Sequence, residues 1–339
     1  MSKILSSPDS LELAQRKQDH IELTHKSVTT ASSVDERFNY EPLFFTHPNS
    51  HDTWPTKFLE FQFNFPIWVS SMTGGSAKSH LINANLARLC GEFKLGMGLG
   101  SCRPLLSNPD RLKDFAVRKY LGDQPLFANI GLAQLEELSF SKKLSVMHEM
   151  VNALEANGLV VHINPLQEWF QPNGDKFTRS PIETIQILLD SAKYPVIVKE
   201  VGQGMGPKSL KALLDLPIAA IEFGAFGGTN FSMLESQRSS ENINYKKPFI
   251  NVGHTAEEMV GFLNALPNKG KEFIISGGVR NVLDGYALMS KLNSASLLGM
   301  ASAFLEPAQK DYEELRSEFI QMKDALLVGK SILTFKGDR

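Results

Sequence analysis

From about residue 66 onward the sequence repeats one unit, a short apolar run that ends in glycine or a polar residue and is followed by a segment with helical periodicity. The apolar runs are PIWVSS (66–71), LGMGLGS (95–101), PLFANIG (125–131), GLVVHINP (158–165), PVIVKEVG (195–202), IAAIEFGAFGG (218–228), EFIISGG (272–278) and SASLLGMA (294–301). The helical segments fall at about 79–93, 108–120, 141–156, 181–192, 206–215, 255–266, 281–292 and 307–328. Eight strands alternating with eight helices predict an α/β fold, the (β/α)₈ or TIM barrel.

The main alternative for such an alternating chain is an open doubly wound sheet that binds a dinucleotide. That fold carries G-x-G-x-x-G after its first strand, and SSMTGGS (70–76) does not match it. Gly96, Gly98 and Gly100 alternate within a strand, so they form no phosphate-binding turn. No segment matches a P-loop or a kinase glycine loop either. The closed barrel is therefore favoured.

Two parts of the chain do not follow the repeat. Residues 1–65 hold a charged helix candidate at 10–22 and β-like stretches around 42–46 and 58–65. We expect them to form an N-terminal extension that caps one end of a barrel domain spanning 66–339. The segment 229–253 is expected to be a long polar loop, mobile or acting as a lid.

Composition and charge exclude several functional classes. Hydrophobic residues make up 42% and charged residues 21% of the 339-residue chain, which is a globular composition. The net charge of −2 gives no basic field for nucleic acid or an anionic membrane. Two cysteines make neither a disulfide framework nor a zinc site. No apolar run reaches membrane-spanning length and no signal peptide is visible, so we expect a cytoplasmic protein.

The fourth apolar run ends in an unusual concentration of polar side chains. His162 and Asn164 are two residues apart and therefore share one face of the strand. Gln167 and Glu168 follow, and we place them on the loop just above. Catalytic groups in a (β/α)₈ barrel lie at the carboxyl ends of the strands, so this block is a candidate site. A single strand-end histidine is more often structural.

The other strand ends also offer hydrogen-bonding groups or bare backbone. SGGVR (276–280) and GMA (299–301) end the last two strands, where phosphate groups often bind in such barrels. Lys199 would place a cation at the barrel centre, as a flavin requires near N1 and O2. Lys199 could equally be a half-buried salt-bridge partner of Glu200. Convergence of all these groups at one end indicates a cofactor-and-substrate site.

With these residues in view, the chain resembles the type 2, FMN-dependent isopentenyl-diphosphate isomerases from about residue 14 to 305. The motifs that carry the resemblance are RKQDHI (16–21), SSMTGG (70–75), GSCR (100–103), HINPLQE (162–168), KEVGQG (199–204), GGTN (227–230) and SGGVR (276–280). RKQDHI and HINPLQE together are highly specific. The resemblance implies conversion of isopentenyl diphosphate to dimethylallyl diphosphate with reduced FMN, Mg²⁺ and NAD(P)H as the reductant. It also implies a homo-oligomer, a tetramer or an octamer.

The resemblance assigns roles position by position. Residues expected to bind FMN are Ser71, Met72, Thr73, Ser101, Asn129, Lys199, Thr229, Gly277, Gly278, Val279, Arg280, Met300 and Ala301. Residues expected to bind the substrate are Arg16, Lys17, His20, Ser101, Arg103, His162, Asn164 and Gln167, the first three contributed by the extension. Gln167 and His162 are the expected catalytic residues, and Glu168 is the expected Mg²⁺ ligand.

The chain departs from the family pattern in places, and two other functions are weighed beside the isomerase. Phe231 stands where many members have tryptophan. The segment YALMSKLNSAS (286–296), before the eighth strand, lacks their usual alanine–leucine–glycine run. One alternative is an FMN-dependent 2-hydroxy-acid oxidase or dehydrogenase, which needs a histidine base beside arginines near the last two strands. Arg280 could serve there, but His254 precedes the seventh strand. The other alternative is a non-catalytic flavin-binding protein.

Overall fold

The computed structural model describes residues 10–71, 77–238 and 244–337. Its strands are β1 (Phe38–Tyr40), β2 (Thr56–Phe58), β3 (Phe61–Phe63), β4 (Ile67–Val69), β5 (Gly96–Gly98), β6 (Leu126–Gly131), β7 (Gly158–Ile163), β8 (Val196–Glu200), β9 (Ala220–Glu222), β10 (Glu272–Ser276), β11 (Ser296–Met300) and β12 (Leu333–Phe335). Its α-helices are α1 (Ser10–Leu23), α2 (Ala77–Phe93), α3 (Arg103–Ser107), α4 (Arg118–Leu121), α5 (Leu132–Phe140), α6 (Ser145–Ala153), α7 (Pro165–Phe170), α8 (Pro181–Leu189), α9 (Pro207–Asp215), α10 (Phe231–Arg238), α11 (Ala256–Asn264), α12 (Val282–Lys291), α13 (Ser302–Lys310) and α14 (Tyr312–Ile332).

Strands β4 to β11 close into a parallel barrel. Each pairs with the next along the chain, and β11 returns to pair with β4. Each of the eight predicted apolar runs contains one of these strands. The predicted (β/α)₈ fold is therefore confirmed.

The barrel interior changes from apolar to polar along seven of its eight strands. The lower inward positions form one buried cluster, made up of Trp68, Phe127, Val160, Ile197, Ala220, Ile274 and Leu297. Because side chains alternate across a strand, the inward position recurs two residues later. There the chain places Ser70, Asn129, His162, Lys199, Glu222, Ser276 and Gly299. Seven of the eight strands thus contribute apolar filling below and a polar group or bare backbone above, whereas β5 presents Gly96 and Gly98 to the interior.

The β2–β3 hairpin closes the amino-terminal end of the barrel. Phe58 and Phe63 are each 1% exposed and lie with their ring centroids 6.2 and 6.5 Å from that of Trp68. The Leu59 amide donates to the Glu272 carboxylate, 2.6 Å away, at the first residue of β10. These contacts leave the carboxyl ends of the strands as the accessible end.

Several helix predictions were wrong in their limits. The expected single helix at 307–328 is two helices, because Asp311 adopts an extended conformation and caps α14 through Glu314 N. Pro307 lies inside α13 rather than at a helix start. The segment 229–253 is not only a loop, since it contains α10 and a 3₁₀ turn at Lys247–Asn251. Residues 42–44 form a 3₁₀ turn instead of a strand.

A small two-stranded sheet outside the barrel joins the N-terminal extension to the last described strand. Strand β1 pairs antiparallel with β12, a contact that sequence reasoning did not anticipate. Helix α1 is exposed on nearly every side. Within the described residues, no helix is long and apolar enough to cross a membrane.

We predict that Phe63→Ala lowers the free energy of unfolding by about 3–5 kcal/mol, because it opens a cavity beneath Trp68. Urea denaturation followed by circular dichroism measures the change. Phe44→Ala is the matched control, since that ring is 81% exposed and its loss should change stability by less than about 0.5 kcal/mol. An equally small change in stability for Phe63→Ala would contradict the conclusion that the hairpin belongs to the core.

Candidate functional site

A cavity of about 450 Å³ opens at the carboxyl ends of β4, β8, β9, β10 and β11. Its volume is in the range of small-molecule and cofactor sites. The lining residues are Ser70, Ser71, Lys199, Val201, Gly202, Glu222, Gly224, Ala225, Gly227, Gly228, Thr229, Phe231, Ser276, Gly277, Gly278, Val279, Arg280, Gly299, Met300, Ala301, Ser302 and Ala303.

One side of this cavity is built from bare backbone. Gly277 and Gly278 follow β10 with φ of 84° and 71°, a conformation that side chains rarely adopt. A Cβ on Gly277 would overlap the Ala225 backbone, so the turn after β10 packs directly on the turn after β9. Arg280 and the amino-terminal end of α13 face the same space. Backbone amides, a helix start and a guanidinium make this side suited to a phosphate group.

The floor of the cavity carries charge. Lys199 donates to the Glu200 backbone carbonyl at 2.9 Å, whereas the Glu200 carboxylate accepts from the amides of the following turn, 202–204. The salt bridge between Lys199 and Glu200 that the sequence left open is therefore not formed. The hydroxyls of Ser70 and Ser71 and both carboxylate oxygens of Glu222 have no hydrogen-bond partner among the described residues.

The end of β7 carries the polar block that drew attention in the sequence. His162 Nδ1 lies 2.8 Å from Asn129 Oδ1, which joins the third and fourth barrel strands. Burial, and secondly the positive charge of Lys199, lowers the pKa of His162 to about 3. The ring is therefore neutral near pH 7.

Gln167 and Glu168 lie on the short helix α7 rather than on a loop, and Pro165 is its first residue. Asn164 Nδ2 donates to Gln167 Oε1 at 3.0 Å and to Glu168 Oε1 at 2.9 Å. Glu168 Oε2 accepts from the Asp175 amide at 2.9 Å. Both carboxylate oxygens are thus held in place by neighbouring N–H groups.

Asp175 connects this helix to two other strand ends. Its Oδ2 accepts from Arg103 Nη1 at 3.0 Å and from Gln134 Nε2 at 2.7 Å. Arg103 follows β5 and Gln134 follows β6, so a single carboxylate joins groups from three successive βα units. Neither Asp175 nor Gln134 was singled out in the sequence, because neither belongs to a strand end or a matched motif.

Helix α10 covers α7 and brings in a second buried carboxylate. Glu235 is 4% exposed and accepts from Gln171 at 3.1 Å, from Gln167 at 3.4 Å and from Arg238. Trp169 and Phe249 pack edge to face with ring centroids 4.9 Å apart. The described part of 229–253 is therefore packed against the site.

The structure brings most of the predicted site residues to one end of the barrel. Residues that line the cavity are Ser71, Lys199, Thr229, Gly277, Gly278, Val279, Arg280, Met300 and Ala301. Residues grouped beside it on the ends of β5, β6 and β7 are Ser101, Arg103, Asn129, His162, Asn164, Gln167 and Glu168. HINPLQE and SGGVR therefore share the carboxyl face.

Three predicted residues lie apart from the others. Arg16, Lys17 and His20 are exposed on α1 and do not line the cavity. Met72 and Thr73 fall outside the described residues. Among the residues the structure does describe, no three His, Cys, Asp or Glu side chains converge into a metal site.

Comparison with known proteins decides the family. No protein-family model matches the chain. The isopentenyl-diphosphate delta-isomerase of Rickettsia africae is 34% identical over 317 residues, covering 91% of this chain and 90% of its relative. That of Pseudescherichia vulneris is 34% identical over 315 residues, covering 91% and 89%. The chain belongs to the isopentenyl-diphosphate delta-isomerase family. The resemblance inferred from the motifs is confirmed, and the protein is an isomerase.

Solved structures extend the likeness of fold beyond isopentenyl-diphosphate delta-isomerases. A lactate oxidase of Pediococcus acidilactici matches with a TM-score of 0.54 at 14% identity, covering 96% of this chain and 83% of that one. A mandelate oxidase variant, described with an FMN adduct, matches with a TM-score of 0.53 at 12% identity, covering 86% and 82%. At such identities the match concerns the barrel fold alone.

We predict that Asp175→Asn raises the KM for isopentenyl diphosphate about 5- to 20-fold while kcat changes less than about 2-fold. Arg103, which the resemblance assigns to substrate binding, would lose a charge-assisted partner and would no longer be held in place. Steady-state kinetics measures both constants. Asp190→Asn, at an exposed position after α8, is the control for loss of one negative charge. An unchanged KM in Asp175→Asn would show that Arg103 needs no such support.

We predict that His162 makes the free energy of unfolding fall as the pH becomes acidic. The folded protein keeps His162 neutral down to about pH 3, whereas the unfolded chain takes up the proton near its ordinary value of 6.5. The contribution of His162 to stability is therefore fully present above pH 6.5 and is lost as the pH falls toward 3. Between pH 7.5 and 5, the wild-type unfolding free energy should fall by up to about 2 kcal/mol more than that of His162→Asn. Urea titrations at both pH values test this, and His51→Asn, an exposed site, should behave as wild type.

Proposed function

We propose that the protein interconverts isopentenyl diphosphate and dimethylallyl diphosphate, using reduced FMN and Mg²⁺. The observation that carries the proposal is the register of two neighbouring strands. His162 and Lys199 are paired across β7 and β8. The polar block of HINPLQE therefore adjoins the cavity that is lined by Lys199 and by the glycine turns 227–228 and 277–278. A cofactor in the cavity and a diphosphate above the β7 end would therefore lie side by side.

The residues present fit FMN. The turns 227–228 and 277–278 with Arg280 offer amides and a cation to its phosphate. The unpartnered hydroxyls of Ser70 and Ser71 and the ammonium of Lys199 offer hydrogen bonds to its ring system. Thr229, Met300 and Ala301 would complete the lining, with Ser101 and Asn129 contributing from beside the cavity. The FMN adduct described for mandelate oxidase, on the same fold, supports this choice.

A diphosphate and its metal ion fit the groups on the other side. Glu168 would bind Mg²⁺ as one carboxylate, and the substrate phosphates would supply the other charged ligands, as is usual for this ion. Arg103, Ser101 and Asn164 would bind or orient the diphosphate. Arg16, Lys17 and His20 of α1 would add to this binding, in their own subunit or in a neighbouring one of a homo-oligomeric tetramer or octamer.

The reaction needs a proton delivered to an alkene carbon and another removed from an allylic carbon. Bound and reduced by NAD(P)H, the flavin would supply the acid–base chemistry at the double bond. Gln167, held by Asn164 and Glu235, would position the substrate alkene. His162 is neutral and bonded to Asn129, so it would act as a fixed hydrogen-bonding group toward the diphosphate. Phe231 lines the cavity and supplies an apolar wall.

A hydroxy-acid oxidase on the same barrel is less well supported. That chemistry requires a histidine base beside the substrate arginine. Among the described residues, no histidine lines the cavity that contains Arg280, and His254 lines a different pocket beside α9.

An anaerobic assay tests the proposal. The purified protein with reduced FMN, Mg²⁺ and isopentenyl diphosphate should form dimethylallyl diphosphate. Glu168→Gln should lower turnover by at least about 10- to 100-fold, while FMN binding, followed by its absorbance, stays unchanged. Glu137→Gln, an exposed site on α5, is the control and should keep full activity. Turnover within 2-fold of wild type in Glu168→Gln would contradict its role as the metal ligand.

A further inference from the structure

Glu222 is a buried carboxylate that the proposed reaction has not yet used. It is the last residue of β9, it is 1% exposed, and neither of its oxygens has a hydrogen-bond partner among the described residues. Leaving such a group without partners costs free energy in a folded protein. A buried polar group of this kind therefore indicates a partner that binds at this position.

The register fixes where Glu222 points. Ala220, two residues earlier, belongs to the inward cluster, so Glu222 faces the interior too. It pairs across the strands with Lys199 and with Ile274, and it lines the cavity. The carboxylate therefore belongs to the cavity floor and not to the surrounding helices.

Few charged groups share this floor. The groups of the polar inward layer that face Glu222 from the neighbouring strands are Lys199 on β8, His162 beyond it on β7, Ser276 on β10 and Ser70 on β4. His162 is neutral, and no ion pair is formed between Lys199 and Glu222. A cation and a carboxylate thus stand side by side, each available to a ligand above them.

We propose that Glu222 is a cofactor-binding residue whose carboxylate accepts a hydrogen bond from the N–H edge of the flavin pyrimidine ring and offsets the charge of Lys199. The proposal rests on FMN occupying the cavity. The pyrimidine ring of a reduced flavin carries N–H donors, and its N1 is a proton-binding site close to the carbonyl oxygen that a cation would contact. A nearby carboxylate favours a protonated N1, whereas Lys199 favours the anion. Together they would hold the charge of the reduced ring near neutral.

The test is an anaerobic absorbance titration of reduced FMN bound to the holoenzyme, which reports the N1 pKa directly. Glu222→Gln should lower that pKa by about one to two pH units, because one negative charge is removed close to the ring. Lys199→Met should raise it by a similar amount, and the double variant should return near the wild-type value. Asp114→Asn removes a buried carboxylate that does not line the cavity and should leave the N1 pKa unchanged.

The outcomes separate this inference from the proposed function. If the wild-type protein binds no FMN, both are overturned. If FMN binds and isomerisation proceeds, but Glu222→Gln leaves the N1 pKa within 0.3 units, a shift about threefold below the smallest expected, only the inference is overturned. Should Glu222→Gln fail to fold, Glu222→Asp takes its place, since it keeps the charge but withdraws it by one methylene. That variant should lower the N1 pKa by less than one unit, and no change would overturn the inference.

Discussion

The alternation of side chains along eight parallel strands is the constraint on which the rest of the molecule depends. Each strand has an inward position low in the barrel and another two residues later. The lower positions are filled by one aromatic and aliphatic cluster, and the upper ones by serines, Asn129, His162, Lys199 and Glu222. A register shift of one residue in a strand would turn its inward side chains toward the surrounding helices, so that polar groups such as Lys199 and Glu222 would face the apolar layer between strands and helices. Core and site are therefore specified by the same pattern.

Much of this arrangement was accessible from the sequence. Short apolar runs ending in glycine or a polar residue predicted all eight barrel strands, and the polar residues near their ends included Asn129, His162 and Lys199. Glu222 was not predicted as a site residue because FGAFGG follows it directly, and the predicted strand therefore extended to residue 228. The strand ends at Glu222, and this makes its carboxylate the last inward side chain.

Other parts depended on contacts that a local pattern does not record. Asp175 and Glu235 have no periodic context, and only the folded chain brings them to Arg103 and Gln167. The break before α14 follows from a cap at Asp311, within a stretch whose helical periodicity continues on both sides. Local periodicity thus locates elements well but says little about polar groups that act between them.

The sealed lower end has a consequence for how the chain reaches its folded state. The hairpin with Phe58 and Phe63 precedes every barrel strand, yet the cluster that it joins includes Leu297 from the last of them. During synthesis these rings leave the ribosome before any barrel strand, and they stay exposed until nearly the whole chain has been made. Because Leu297 belongs to that cluster, the apolar base of the barrel is covered completely only once the last strand has paired with the first, and we expect the whole barrel to fold cooperatively.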